Sequence, residues 1–215
     1  MTKRRKAPKK LNPDQVADDD VRFIEYEITD EPIRDRNYRR LPEQVKETIE
    51  RLHDESQSKP RQAIPELLEL VERYPKMPML YNYLAVAYAR IGEKDQAESI
   101  TLENMRKNPD YLFARLNYAQ LCLDRGEYAK IPEIFNHKFD LKLLYPKRNR
   151  FHVSEVANFM ALMGIYFLET GEREVAERYD HAVQQIAPKL HMAKRLRRQL
   201  YPNIFKRAWK RLRNE

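Results

Sequence analysis

The chain has 215 residues, 42% of them hydrophobic and 34% charged, and only four are glycine. So little glycine argues against sheet folds rich in tight turns and against glycine-rich phosphate loops. No run of about 18 apolar residues occurs, so no membrane-spanning helix is expected. The basic first ten residues are not followed by an apolar stretch, so no secretory signal is expected either. The single cysteine excludes a disulfide framework and favours a cytoplasmic location.

Charge is distributed unevenly along the chain. The formal total is +8, but residues 1–10 contribute +6 and residues 189–215 contribute +9, so residues 11–188 carry −7. The pI of about 9.4 therefore describes two basic ends attached to an acidic body. Basic ends of this kind predict contact with an acidic partner, such as nucleic acid or an anionic membrane surface.

The first part of the chain, residues 1–40, reads as an extension that precedes the helical body. Residues 1–20 combine high charge with low hydrophobicity and are predicted to be disordered. Residues 21–28 (VRFIEYEI) are predicted to be an extended segment laid on the body, because no partner strand is evident. Helices are expected from Pro42 onward, with a break at 56–60 and a second helix that ends at Tyr74.

Three of the four glycines mark a repeat. Gly92, Gly126 and Gly171 are each followed by glutamate, and they are 34 and 45 residues apart. A helix–turn–helix unit that recurs at this spacing is typical of a helical solenoid. Each glycine follows a stripe on one helical face. The three stripes are Tyr81, Leu84, Ala85 and Tyr88; Arg115, Tyr118, Ala119 and Cys122; and Met160, Met163, Gly164 and Phe167.

These stripes resemble the tetratricopeptide repeat family. In that family the first helix carries a large residue, a large and small pair, and an aromatic, and the second carries a small residue and a closing proline. The small residues, here Ala85 and Gly164, are expected where two helices cross closely. Ala97 with Pro109, and Ala176 with Pro188, fit the second helix. The middle unit departs from the pattern, with Ile131 in the small position, Pro132 early in the helix, and eleven extra residues within 136–152.

The resemblance implies an all-α, right-handed superhelical solenoid of about three to four helix–turn–helix units. The repeat domain would occupy residues 41–188, as a degenerate unit at 41–77 followed by 78–111, 112–156 with the insertion, and 157–188. Residues 189–215 would form basic C-terminal helices. In the first of them, Leu190, Ala193, Leu196 and Leu200 recur at helical spacing and predict a cap for the last repeat.

Catalytic chemistry has little support in the sequence. The five histidines have no metal-ligand spacing, and Cys122 occupies a core position of the second stripe. Neither a phosphate loop nor a nucleophile elbow is present. The sequence therefore predicts a protein that is not an enzyme, with no catalytic residue, metal site or cofactor.

The resemblance also implies a concave, partner-binding groove lined by the first helix of each unit. Its predicted lining is Asn82, Tyr83, Val86, Arg90, Phe113, Leu116, Asn117, Gln120, Asp124, Ala161, Ile165 and Leu168. Some family members clamp a chaperone's C-terminal carboxylate with Lys, Asn and Arg; of those positions only Asn117 fits here. A largely apolar groove suits an amphipathic helix or an extended peptide. Alternatively, residues 21–28 or the C-terminal helix of this chain would fill it.

The basic C-terminal end predicts a second, polyanion-binding surface. Its candidate residues are Lys194, Arg195, Arg197, Arg198, Lys206, Arg207, Lys210 and Arg211. They could contact RNA phosphates or anionic lipid headgroups, or could be solvated charges beside the acidic body. The function predicted first is a cytoplasmic protein–protein interaction scaffold with an unidentified protein or peptide partner. The alternative is an RNA- or ribosome-associated binding protein, and peripheral membrane contact is a lesser alternative.

Overall fold

A computed structural model describes residues 26–34 and 36–202 of the chain. Helices make up 71% of the structure, which confirms the all-α class. The described residues divide into two compact units. We call residues 34 and 36–121 the central unit, and residues 26–33 with 122–202 the terminal unit. The predicted tail at 1–20, residues 21–25 of the extended segment, and the second basic helix beyond Pro202 lie outside the described residues.

The central unit is a series of helices joined by short connections. They are α1 (Arg36–Arg39), α2 (Glu43–Ser58), α3 (Pro60–Arg73), α4 (Pro78–Arg90), α5 (Lys94–Lys107) and, up to residue 121, α6 (Leu112–Asp124). α2 packs on α3 and α4, and α4 packs on α3 and α5. Fully buried side chains from these helices, Ile49, Leu52, Leu67, Leu80 and Leu84 among them, form its core. The predicted break at 56–60 shrinks to one residue between α2 and α3.

The terminal unit is arranged around one buried helix. Its helices are α7 (Lys130–Ile134), α8 (Leu141–Leu144), α9 (Val153–Glu169), α10 (Arg173–Ile186) and α11 (His191–Leu200), and its strands are β1 (Glu27–Thr29) and β2 (Arg150–His152). α9 packs on α10, α11 and both strands. Eleven of the 17 residues of α9 are buried, so this helix supplies the centre of the unit.

The three predicted glycine turns are present and share one geometry. Each glycine ends a helix with a positive φ, at 87° for Gly92, 72° for Gly126 and 92° for Gly171. The glutamate that follows donates its backbone N–H to a carbonyl five residues earlier, in a bond that satisfies an otherwise unpaired helix carbonyl. These bonds join Glu93 to Tyr88 at 3.0 Å, Glu127 to Cys122 at 2.8 Å and Glu172 to Phe167 at 2.7 Å.

The irregular middle unit departs from a regular helix pair where its sequence does. α7 is only five residues long, and Pro132 lies within it. The chain then turns through Asn136 and His137, with φ values of 52° and 56°, and His137 N donates to Pro132 O at 2.7 Å. Ile131, which replaces the small residue of the pattern, is fully buried. The eleven extra residues fall in the region that forms α8 and β2.

The N-terminal extended segment has a partner strand, contrary to the expectation from sequence. β1 pairs in parallel with β2, in the register Glu27 to Arg150, Ile28 to Phe151 and Thr29 to His152. Ile28 and Phe151 are buried, and the Tyr26 ring meets the Phe151 ring edge-on with centroids 5.0 Å apart. The insertion of the middle unit therefore supplies the strand that fixes residues 27–29.

Gly164 lies at a close helix crossing, as predicted. A Cβ atom at this position would stand 2.5 Å from Leu196 Cδ2 and 3.1 Å from Tyr179 Cβ. Any side chain here would therefore collide with α10 and α11. Ala85, the corresponding residue of α4, is half-buried and packs at the edge of the central core rather than inside it.

α11 covers α9 and α10 with the predicted apolar face. Ala193, Leu196 and Leu200 are buried, and Leu190 just before the helix is half-buried. Arg173 Nη2 of α10 donates to the carbonyl of Leu200 at 2.8 Å, which satisfies one of the last carbonyls of α11. Within residues 26–34 and 36–202, no helix combines the length and apolar character needed to cross a bilayer.

Candidate interaction surfaces

The first candidate surface lies on α4 and α6 of the central unit, and we call it the α4–α6 surface. Val86 is 39% exposed although it is apolar, and Arg90 is exposed. Half-buried side chains, which are reached by solvent on one side only, make up most of the remainder: Asn82, Tyr83, Phe113, Asn117 and Gln120. Leu116 is buried at 4% exposure and supports the surface from beneath. Asp124, the last residue of α6, is exposed and belongs to the terminal unit, so it is not part of this surface.

A network of asparagine side chains fixes the polar part of the α4–α6 surface. Asn104 of α5 is buried, and its Nδ2 donates to the Pro78 carbonyl at 3.1 Å and to Asn82 Oδ1 at 2.9 Å. Asn117 Nδ2 of α6 donates to the same Asn82 oxygen at 3.1 Å. Asn108 Nδ2 donates to Asn104 Oδ1 at 3.1 Å, so both ends of the buried amide are paired.

The Pro78 carbonyl determines which way each amide points. A carbonyl oxygen only accepts, so Asn104 must turn its NH₂ group toward it. The second hydrogen of that NH₂ group then meets Asn82, which must present its oxygen, and Asn117 must donate to that oxygen in turn. Among the described residues, no hydrogen bond reaches Asn82 Nδ2 or Asn117 Oδ1. The network thus leaves one oriented donor and one oriented acceptor side by side.

Sequence reasoning found Asn82 and Asn117 but missed Asn104. The repeat pattern could have identified Asn104. It follows Ala97 by seven residues, and the equivalent residue of the last unit, seven after Ala176, is the apolar Val183. A polar residue at a position where the repeat places a buried apolar one predicts a partner for its amide.

Tyr83 links the α4–α6 surface to α2. Its ring meets the ring of His53 edge-on with centroids 5.1 Å apart. Burial raises the pKa of the Tyr83 hydroxyl, so at neutral pH this side chain is a neutral hydrogen-bonding group on an apolar ring.

The third set of predicted groove residues does not form an open surface. Ala161 and Ile165 of α9 are buried at 0% and 1% exposure, and Leu168 is half-buried. The prediction that Ala161 and Ile165 meet an outside partner is therefore wrong for this conformation. The family register placed them on an outward face, whereas in this chain α9 carries β1 and β2 in addition to α10 and α11.

The second candidate surface is the solvent side of α11. Lys194, Arg197 and Arg198 are exposed, as predicted. Arg195 is half-buried, and its Nη2 lies 2.9 Å from Asp124 Oδ1 in a salt bridge within the terminal unit. The remaining four predicted polyanion-binding residues, Lys206, Arg207, Lys210 and Arg211, lie outside the described residues.

His152 and Glu155 form a capping arrangement at the start of α9. His152 Nδ1 accepts from Ser154 N at 3.2 Å at the start of α9, and the Glu155 carboxylate accepts from His152 N at 2.9 Å. Arg148 forms two hydrogen bonds with that carboxylate, at 3.1 and 2.8 Å. In the described part of the chain, no group of three or more His, Cys, Asp or Glu residues is arranged to hold a metal ion.

No known protein-family model matches the sequence, and no curated protein is significantly similar to it.

Proposed function

We propose that this chain is a non-catalytic interaction scaffold of tetratricopeptide-like helix pairs that binds an extended apolar peptide on the α4–α6 surface. The observation that carries the proposal is the oriented amide pair of Asn82 and Asn117 beside exposed Val86. A buried asparagine holds this pair in place, so binding a ligand costs little additional ordering of the two amides.

The amide pair favours an extended peptide over a helix. In an extended chain the backbone N–H and C=O groups are unpaired and available to an outside donor and acceptor. Asn82 Nδ2 would donate to a peptide carbonyl, and Asn117 Oδ1 would accept from a peptide N–H. A bound helix has already paired its backbone groups internally, so it would leave these amides without partners.

The side chains around the amide pair favour apolar residues in the peptide. Val86 and Phe113 offer apolar surface, and Tyr83 adds an aromatic ring with a neutral hydroxyl. Asn82 and Val86 occupy two positions of the family's carboxylate clamp, and neither is the residue that the clamp uses at that position, so a C-terminal acidic tail is a poor ligand for this surface.

Two properties of the chain support the proposed architecture. Three glycine turns repeat one hydrogen-bond geometry at the spacing of the repeat. In the central unit, α4 packs against α2, α3 and α5, so the pair α4–α5 contacts the pair α2–α3, as stacked repeats require.

The test is binding of synthetic peptides to the full chain and its variants. The probe is an array of peptides that alternate apolar and small polar residues, beside acidic peptides of the same length. Wild type should retain the apolar set, and the double variant Asn82→Ala, Asn117→Ala should lose most of that binding. Methylation of single peptide N–H groups should abolish binding at one or a few positions. Gln62→Ala, an exposed amide on α3, is the matched control and should bind as wild type.

Equal binding by wild type and the double asparagine variant would overturn the proposed site. Preference for the acidic peptides would overturn the proposed ligand class.

A further inference from the structure

We propose that the solvent side of α11 binds the phosphate backbone of a nucleic acid through Lys194, Arg197 and Arg198, without reading its sequence. This site lies on a different helix from the proposed peptide surface and does not depend on it. Residues 1–10 and 203–215 add further positive charge to the chain.

The geometry of α11 separates its two faces. Successive residues of an α-helix are about 100° apart, so Ala193, Leu196 and Leu200 lie along one side and Lys194 and Arg198 along the other. The first three are buried and the last two are exposed. Lys194 and Arg198 are one helical turn apart, with Cβ atoms about 6 Å from each other, and Arg197 extends the row on one flank.

The charges on this face are not neutralised by any carboxylate in the described part of the chain. Among the described residues, no carboxylate lies within salt-bridge distance of Lys194, Arg197 or Arg198. Arg195 of the same helix differs from these three, because its Nη2 forms an ion pair with Asp124 Oδ1 at 2.9 Å. At longer range, Arg197 does interact with Asp180. Burial raises the pKa of the Asp180 carboxyl, and the positive charge of Arg197 partly opposes that increase. Arg198 Nε donates to the Lys194 carbonyl at 3.3 Å, which holds this side chain along the helix. The three exposed cations form a positive row, and arginine guanidiniums match phosphate oxygens in two-point geometry.

The burial of its apolar face makes α11 better suited to bind a nucleic acid than a membrane. An interfacial helix binds a bilayer by inserting its apolar face between the lipids. Here that face is already covered, because Ala193, Leu196 and Leu200 are 0–1% exposed. The part of α11 that remains can contact a membrane only through charge.

The composition of the exposed face of α11 favours a nucleic acid over an acidic protein as the ligand. Protein interfaces are centred on apolar or aromatic anchors that become fully desolvated. The exposed residues of α11 are His191, Lys194, Arg197 and Arg198, and none is a large apolar side chain. A row of cations without an apolar anchor suits a uniform polyanion, which a nucleic-acid backbone provides.

The experiment measures binding of a fluorescent oligouridylate to the full chain over a series of salt concentrations. The variant is Lys194→Glu, Arg197→Glu, Arg198→Glu. The control is Lys59→Glu, Arg61→Glu, Lys94→Glu, three exposed cations of the central unit whose reversal changes the net charge by the same amount. Each lost contact with a single strand lowers the log–log salt slope by about 0.7, so the α11 variant should lose about 2 in slope. The control should keep the wild-type slope.

Parallel measurements use polyglutamate and vesicles of phosphatidylcholine with phosphatidylserine. Weaker binding of both than of the oligouridylate is the expected result. Equal slopes for the α11 variant and wild type would overturn the proposal, as would stronger binding of wild type to polyglutamate or vesicles. If the reversed variant fails to fold by circular dichroism, the neutral variant Lys194→Gln, Arg197→Gln, Arg198→Gln takes its place, with the same slope loss expected. Peptide binding to the α4–α6 surface should be unchanged in either variant, which distinguishes failure of this site from failure of the peptide site.

Discussion

At the scale of single residues, glycine serves two separate physical purposes in this chain. Gly92, Gly126 and Gly171 have open space around the position of a Cβ atom and are required for their backbone angle. Gly164 lies within helix α9 and is required for the absence of a side chain, because Leu196 and Tyr179 occupy that space. The two purposes predict different responses to the same substitution.

Gly164→Ala should destabilise the protein by about 1 kcal/mol. Alanine gains about 1 kcal/mol of helix propensity, but overpacking against fully buried Leu196 costs about 1–3 kcal/mol. The measurement is urea unfolding of Gly164→Ala in wild type and in a Leu196→Ala background. In that background the contacts with Leu196 Cδ1 and Cδ2 are absent and the contact with Tyr179 Cβ at 3.1 Å remains, so the same substitution should cost clearly less than in wild type. Gly92→Ala is the contrasting case, because Leu196→Ala should not relieve backbone strain there. Equal effects of Gly164→Ala in both backgrounds would contradict the crossing.

Ionisation of the Tyr38 hydroxyl should make the protein less stable at alkaline pH. Burial, together with the hydrogen bond from Tyr38 Oη to Glu50 Oε1 at 2.8 Å, raises the pKa of this phenol to about 12. The unfolded value is about 10, so the folded state holds the proton more tightly. The contribution to stability is therefore complete below pH 10 and is lost as the pH rises toward 12.

The measurement for Tyr38 is the free energy of unfolding across this alkaline range, in wild type and in Tyr38→Phe. The variant should show a shallower decline with pH. Glu50→Gln removes the neighbouring negative charge, which also favours the neutral phenol, so the decline should end at a lower pH and be smaller in total. An identical pH dependence in wild type and Tyr38→Phe would show that Tyr38 does not contribute.

At the scale of elements, the attachment of β1 to β2 combines exposed ion pairs with buried rings. Arg150 contacts Glu27 and Glu31 at 3.1 Å each, and the three side chains are about half exposed. Phe151 is fully buried, with the Tyr26 ring against its edge and the Arg148 guanidinium 4.3 Å from its centroid. Exposed pairs contribute about 0–1 kcal/mol, whereas truncation of a buried phenylalanine costs about 3–5 kcal/mol. Packing should therefore decide whether the strands stay paired.

Phe151→Ala should release β1, whereas Arg150→Ala should leave it in place. The measurement is amide hydrogen exchange of residues 27–29, which should accelerate strongly in the first variant and slightly in the second. Unfolding experiments should give a loss of several kcal/mol for Phe151→Ala and less than about 1 kcal/mol for Arg150→Ala. Equally fast exchange in the two variants would mean that the ion pairs hold the strand.

At the scale of the whole molecule, local patterns were predictable and long-range pairings were not. The glycine turns, α2, α3 and the buried face of α11 follow from spacing within one or two helices. The β1–β2 pair joins residues 123 positions apart, as from Glu27 to Arg150, through strands of three residues each, too short for any periodicity. The asparagine network likewise depends on which helices become neighbours. The groove prediction for Ala161 and Ile165 failed because the register of a family assumes a free face, whereas α9 carries elements on several sides.

The last helix pair, α9 and α10, would expose an apolar face if no further element covered it. α11 covers this face of α9 and α10 with Leu196 and Leu200, and it turns Lys194 and Arg198 to solvent. Leu196→Asp, Leu200→Asp should therefore bury two unpaired carboxylates or detach the helix, at a cost of several kcal/mol.

Lys194→Asp, Arg198→Asp adds two carboxylates to the same helix and is the matched control, expected to change stability by less than about 1 kcal/mol. The measurement is thermal unfolding together with binding of an apolar fluorescent dye at moderate temperature. Only the leucine variant should bind dye and unfold early, because only that variant uncovers α9 and α10. Similar behaviour of the two variants would mean that α11 does not serve as the cover. In that case the packing of α11 would not hold Lys194, Arg197 and Arg198 in a fixed row.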